Sequence, residues 1–79
     1  MSDELRNLPV RKLVAALERD GFIYRRRKGS QKVYRHEDGR RVVLHYHRGS
    51  DTLPLGTLRQ ILGATGWTED DLRRLDLIS

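Results

Sequence analysis

The sequence lacks cysteine altogether, has only 2 prolines and 6% aromatic residues, and contains no long apolar run. The absence of cysteine excludes a disulfide framework, a thiol nucleophile and a Cys-ligated zinc or iron–sulfur site. Without an apolar run of about 18 residues or a signal-peptide stretch, the sequence favours a cytoplasmic protein with no membrane contact. A chain of 79 residues supports one thin two-layer core, so we expect a single domain over residues 1–79 and no large cofactor-binding fold.

Basic residues, by contrast, are abundant and concentrated in one part of the chain. The net charge is +5, with 16 Lys and Arg against 11 Asp and Glu. Residues 25–48 hold nine basic and two acidic side chains, whereas the rest of the chain has a net charge of −2. Thirteen of the cations are arginines, whose planar guanidinium groups suit phosphate. This distribution favours a nucleic-acid partner over a merely solvated basic surface.

The N-terminal part has the pattern of an amphipathic helix. Apolar side chains at Val10, Leu13, Val14 and Leu17 follow the i, i+3, i+4, i+7 spacing of one helical face. Pro9 suits the first turn and Gly21 the left-handed position after the last turn, so the pattern predicts a helix from about Pro9 to Asp20.

The central part has the pattern of an antiparallel sheet. Short β-rich runs between residues 22 and 47 are separated by turn signals, first at residues 28–30 and then at Asp38-Gly39. We predict three strands in a meander, with Val42, Leu44 and Tyr46 facing a helix, and Val43, His45 and His47 facing outward.

The register of the last two strands depends on the length of the loop between them. A two-residue loop at Asp38-Gly39 would place Val33 opposite Leu44 and Gln31 opposite Tyr46. Tyr34 would then lie on the open face beside Val43. A longer turn would shift the pairing and reassign the faces.

The C-terminal part predicts two further helices. Leu58, Ile61, Leu62 and Thr65 have helical spacing, and Gly66 ends that helix. Thr68 is the predicted N-cap of a short third helix presenting Leu72 and Leu75, and Trp67 between the two helices is predicted to fill the core. The order α-β-β-β-α-α predicts an α+β fold, a three-stranded antiparallel sheet backed by two helices, as in double-stranded-RNA-binding domains.

Several stretches together resemble the HicA family of bacterial toxins, which are mRNA interferases paired with HicB antitoxins. The resemblance extends from about Leu8 to Leu75. The stretches that carry it are residues 13–22 (LVAALERDGF), 29–34 (GSQKVY), 35–40 (RHEDGR), 47–49 (HRG) and 56–62 (GTLRQIL). It implies metal-independent cleavage of mRNA, no cofactor, and an antitoxin that covers the RNA-binding surface.

Position 31 departs from the family pattern. HicA-like sequences have Gly-Ser-His where this chain has Gly29-Ser30-Gln31, and that histidine is taken as catalytic. Glutamine forms hydrogen bonds but cannot exchange a proton as imidazole does, so we expect slow cleavage or none. Two explanations stay open: a natural glutamine in a degenerate member, or an introduced inactivating substitution.

The three histidines of this chain differ in their predicted roles. His36 precedes the hairpin turn, and a structural, solvent-facing role is predicted for it. His45 and His47 share one face of a strand, but two histidines without a third ligand are weak evidence for zinc. His47 lies in the segment that matches the family, so it is the second candidate catalytic residue after position 31.

The candidate RNA-binding residues combine cations with one aromatic ring: Arg25, Arg26, Arg27, Lys28, Lys32, Tyr34 and Arg35. Backbone charge and base stacking are the two main ways in which single-stranded RNA is held. Three hypotheses follow from the sequence: a toxin-type ribonuclease, a non-catalytic RNA-binding module, and a domain whose only partner is an acidic protein.

Overall fold

The computed structural model describes residues 5–29 and 31–79, which form three helices and three strands. Their order along the chain is α1 (Val10–Arg19), β1 (Ile23–Lys28), β2 (Gln31–Arg35), β3 (Arg41–His45), α2 (Leu55–Thr65) and α3 (Glu69–Arg74). The strands pair antiparallel in the order β1-β2-β3. The predicted α+β fold is therefore confirmed, and its resemblance to a double-stranded-RNA-binding domain is consistent with this order.

The helices follow the predicted apolar spacing. Helix α1 buries Val10, Leu13 and Leu17, and Gly21 follows its C-cap with φ +99°. Helix α2 buries the four residues predicted from their spacing and ends at Gly66, which has φ +72°. These two glycines occupy backbone conformations that L side chains rarely adopt, which is why the helices end there.

Helix α3 begins with a reciprocal cap. The Thr68 hydroxyl accepts from the Asp71 backbone N–H at 3.2 Å, and the Asp71 carboxylate accepts from the Thr68 N–H at 2.9 Å. This capping box satisfies two backbone donors that the helix leaves open, and Leu72 and Leu75 are buried as predicted.

The core lies between the helices and one face of the sheet. Tyr34, Val42 and Leu44 are the buried strand residues on that face, and each is at most 4% exposed. Buried leucines from all three helices and the C-terminal segment pack against them. The outward alternation predicted for β3 is confirmed at His45, but the strand ends there and His47 lies beyond it.

The loop between β2 and β3 is one residue longer than the two-residue turn considered from the sequence. The His36 N–H donates to the Arg40 carbonyl at 2.9 Å, enclosing a three-residue loop that ends at Gly39 with φ +101°. A type I turn followed by a left-handed glycine is a common three-residue hairpin connection. The expected pairing of Val33 with Leu44 is therefore wrong.

The observed register exchanges the two faces of β2. Val33 lies opposite Val43, Tyr34 opposite Val42, and Gln31 opposite His45. Tyr34 thus faces the core rather than the open face, because it shares the face of the buried Val42.

A network of hydrogen bonds ties the hairpin loop to the helices, and we call it the Asp20 junction. The Asp20 carboxylate accepts from Trp67 Nε1 at 2.9 Å and contacts Arg40 at 3.0 Å and Arg74 at 3.3 Å. Burial opposes ionisation of this carboxyl, but the bonds from Trp67, Arg74 and Arg40 outweigh it and hold the pKa of Asp20 below its ordinary value. Trp67 is half-buried and its ring packs edge-on against Phe22.

Candidate nucleic-acid interface

The sheet face opposite the core carries most of the central positive charge. Strand residues that alternate with the buried ones point to this side, because successive side chains of a strand face opposite ways. We call this surface the basic sheet face, and it comprises Arg25, Arg26, Lys28, Gln31, Val33, Arg35, Arg41, Val43 and His45.

A β-bulge in β1 places two consecutive arginines on this surface. The pairing of β1 with β2 shifts between Tyr24 and Arg26, which leaves Arg25 as the extra residue. Arg25 and Arg26 then line one shallow depression together with Val33, Arg35 and Arg41. Val33 is only 6% exposed although it faces away from the core, so the long arginine side chains around it cover its surface.

The cations of the basic sheet face are not neutralised by carboxylates within residues 5–29 and 31–79. The ion pairs of this part of the chain involve Arg19, Arg40, Arg73 and Arg74. The five cations of the face, in contrast, take part in none of them. Five unneutralised charges on one side of a sheet attract a polyanion.

A row of three polar side chains crosses the sheet at one end of this face. Gln31 lies opposite Lys28 on β1 and opposite His45 on β3. Directly opposed residues of antiparallel strands have Cβ atoms about 5 Å apart, so a cation, an amide and an imidazole are neighbours here. Gln31 and Lys28 also line a second shallow depression with Arg26 and Arg41.

Two of the predicted RNA-binding cations have other contacts. Lys32 lies on the core side of β2, where its Nζ donates to the Tyr46 carbonyl at 2.7 Å and lies 4.0 Å from the centre of the Tyr46 ring. Arg27 pairs with Lys32 across the strands, and its Nε donates to the Gly29 carbonyl at 3.3 Å. Arg27 borders the second depression, whereas Lys32 does not.

The predicted stacking role of Tyr34 does not fit its position. Its side chain is buried, 4% exposed, and that burial, followed by the neighbouring Tyr46, raises its pKa. Tyr24 is 46% exposed but packs against Tyr34, on the same side of the sheet. Within the described residues the Phe, Trp and Tyr rings all lie on the core side, so the basic sheet face offers charge without an aromatic platform.

His36 has the structural role predicted for it, but its solvent-facing position was predicted wrongly. Its side chain is 15% exposed, Nε2 donates to the Asp20 carbonyl at 2.7 Å, and Nδ1 accepts from the Asp38 N–H at 3.1 Å. The Phe22 ring packs edge-on against it. Both ring nitrogens are thus engaged in the fold.

His47 is not the neighbour of Gln31 that the two-residue loop would have made it. It lies two residues beyond His45, in the loop that follows β3, where its backbone N–H donates to the Asp51 carboxylate at 3.0 Å. Because that carboxylate also accepts from the Arg48 N–H, the pKa of Asp51 lies below its ordinary value.

Sequence reasoning missed two members of this surface. Arg41 lies opposite Arg35 and lines both depressions, and His45 is the residue opposite Gln31. In the sequence, the alternation of Arg41, Val43 and His45 indicates that these three residues share one face of a strand. Their neighbours on β2 could be assigned only once the register of β2 was known.

Two negative findings concern the part of the chain that the structure describes. It contains no group of three or more His, Asp or Glu side chains arranged to hold a metal ion. None of its helices is long and apolar enough to span a membrane. Ser30, predicted to be a turn residue, lies outside the described residues.

Comparison with protein families gives one match. The family described as "HicA toxin of bacterial toxin-antitoxin" systems matches residues 10–67, which include the whole sheet and helices α1 and α2. A search among curated proteins finds no match.

Proposed function

We propose that this chain, which belongs to the HicA family of bacterial toxins, binds mRNA and cleaves it without a metal ion. The observation that supports this most is the basic sheet face, where five cations without ion pairs in the described residues share one surface with Gln31 and His45. A shallow, positively charged face suits an extended single-stranded substrate.

The proposed binding uses the cations of this face to hold RNA phosphates next to the scissile bond. Arg25, Arg26, Arg35 and Arg41 contact the RNA backbone, and Lys28 lies next to position 31. Since the described residues of the face include no aromatic ring, we propose that affinity is mainly electrostatic, with little contribution from stacking.

Metal-independent cleavage requires that a base remove the proton of the 2′-hydroxyl and that the departing 5′-oxygen be protonated. A glutamine at position 31 can orient the phosphate by hydrogen bonds but cannot move a proton. We therefore propose that the chain cleaves RNA slowly compared with a variant that has histidine there.

As a family toxin, the protein has an antitoxin partner. We propose that this partner is a HicB-like protein whose acidic groups contact the basic sheet face and compete with RNA for it. The cations that hold phosphate are equally suited to carboxylates.

The test compares the wild-type chain with Gln31→His on a labelled mRNA in the presence of EDTA. We expect slow cleavage by the wild type and cleavage about 10²-fold faster by Gln31→His, because a proton-transfer group is added. The matched control is Gln60→His, which adds an imidazole on the exposed surface of α2 and leaves the rate unchanged.

A second candidate function is a binding module without catalysis, which Gln31 itself favours. In that case neither form cleaves RNA, while both bind it with the same affinity.

A domain that binds only acidic protein would bind no RNA at 50 mM salt, and that result would contradict both RNA-based proposals.

A further inference from the structure

The basic sheet face has one imidazole, and it lies close to position 31, which itself lacks an imidazole. His45 is the residue opposite Gln31, and it is exposed on the same face. The other two histidines of the chain are placed differently, since both ring nitrogens of His36 bond within the fold and His47 lies beyond the end of β3. His45 is therefore the histidine that lies directly beside Gln31 in the row that also contains Lys28.

We propose that His45 is the proton-transfer residue of this chain, acting from the strand next to position 31, with Gln31 and Lys28 as its partners. This inference rests on the proposed function, because it identifies the residue that carries out the proposed cleavage. In this arrangement the three side chains of the row, a cation, an amide and an imidazole, have different roles.

The proposed step is an attack within the RNA strand. Neutral His45 takes the proton of the 2′-hydroxyl, the 2′-oxygen bonds to phosphorus, and the bond from phosphorus to the 5′-oxygen breaks. The departing oxygen takes a proton from water, and His45 returns its proton to solvent. The products are a 2′,3′-cyclic phosphate and a 5′-hydroxyl end, with no net gain or loss of protons.

Lys28 and Gln31 have separate roles in this step. The Lys28 ammonium stabilises the negative charge that builds on the non-bridging phosphate oxygens, and the Gln31 amide donates a hydrogen bond that holds the phosphate beside His45. Because Lys28, Gln31 and His45 lie side by side across the sheet, a phosphate held by Lys28 and Gln31 is close to the imidazole without a deep cavity.

The experiment measures single-turnover cleavage and RNA affinity for four forms: wild type, His45→Gln, Gln31→His, and the exchange variant Gln31→His with His45→Gln. We expect His45→Gln to lower the wild-type rate by about 10²- to 10⁴-fold, with RNA affinity changed by less than about twofold. The exchange variant should regain cleavage, since it moves the imidazole across one strand pair. Circular dichroism confirms that each form is folded, and Arg59→Gln on the exposed surface of α2 is the control.

The outcomes separate this inference from the proposed function. Cleavage by His45→Gln at the wild-type rate would overturn the role of His45 but leave the proposed ribonuclease intact. The same holds if a fifth form, His47→Gln, no longer cleaves RNA while His45→Gln still does. If none of the four forms cleaves RNA that it binds, the proposed function itself fails. Products from the wild type that lack a cyclic phosphate would overturn the proposed step.

Discussion

Arginine serves opposite purposes in two regions of this molecule. At the Asp20 junction, Arg40 and Arg74 contact the same carboxylate and join the hairpin loop to the helices. On the basic sheet face, Arg25, Arg26 and Arg41 have no carboxylate partner within the described residues. The comparison teaches that the number of arginines says little about their role, whereas an acidic neighbour distinguishes arginines that stabilise the fold from those we propose to bind RNA.

The largest expected effect comes from removing the charge of the basic sheet face. Five phosphate contacts on single-stranded RNA predict a slope of about −3.5 for log K against log salt, so wild-type affinity should fall about 100-fold between 50 and 200 mM salt. Replacing Arg25, Arg26, Lys28, Arg35 and Arg41 by Gln should remove nearly all of this dependence. Fluorescence anisotropy with labelled single-stranded RNA measures it.

The matched control for that experiment is Arg11→Gln with Arg59→Gln, which removes exposed charge from the helices. It should leave the slope unchanged. Wild-type affinity that does not depend on salt would contradict the electrostatic interpretation of the face.

The next largest effect is a loss of stability when the Asp20 junction is disrupted. Asp20→Ala should lower the free energy of unfolding by about 2 kcal/mol, because Trp67, Arg40 and Arg74 lose an acceptor that is largely shielded from water. Urea denaturation measures the change. RNA affinity of the folded protein should stay at the wild-type value, since the junction is separate from the face.

Asp70→Ala is the control for this change, because it breaks a surface pair with Arg73 in which the Asp70 side chain is 95% exposed. Such pairs contribute at most about 1 kcal/mol. If the two variants lose the same stability, the junction is no more important than an ordinary surface ion pair.

A smaller effect distinguishes the two sides of the sheet. Arg41→Gln should flatten the salt slope by about 0.7, the value of one phosphate contact, and weaken binding a few fold at 200 mM salt. Lys32→Gln should leave the slope unchanged, because Lys32 bonds to the Tyr46 carbonyl on the core side. The reverse result would mean that RNA contacts the core side of the sheet edge instead.

The smallest effect is a difference in acid stability. The pKa of Asp20 is lower in the folded protein than in the unfolded chain, so its contribution to stability is present above about pH 4 and is lost as the pH falls through the folded-state pKa. Unfolding followed between pH 2 and pH 5 should show a shallower loss of stability in Asp20→Asn than in the wild type. Equal curves would show that the other acids with lowered pKa values, Asp38, Asp51 and Asp71, account for the dependence.

Much of the fold could be predicted from local patterns. The buried face of α2 corresponds to Leu58, Ile61, Leu62 and Thr65, and the ends at Gly21 and Gly66 follow from glycine in the left-handed conformation. These features depend on residues within a few positions of one another, so they can be predicted from short stretches of the sequence.

The candidate site could not be predicted in the same way, because the apolar pattern leaves open which face of β2 meets the core. Strand β2 has one apolar residue on each face, Val33 and Tyr34, so alternation does not say which side meets the core. Asp38-Gly39 fits both a two-residue loop and a three-residue loop ending in glycine. The bulge at Arg25 is likewise invisible to alternation, although it determines that Arg25 and Arg26 line the same depression.

The length of the loop Glu37, Asp38 and Gly39 therefore determines which side chains of β2 face outward, from Arg35, two residues before the loop, to Gln31, six residues before it. Loss of one loop residue would turn β2 over, bringing Arg35 toward the core and Tyr34 to the outside, without any substitution in the site. We therefore expect insertions and deletions at this hairpin to affect the proposed activity as much as substitutions of Gln31 or His45. In a chain this small, the length of one turn determines which side chains the proposed active site contains.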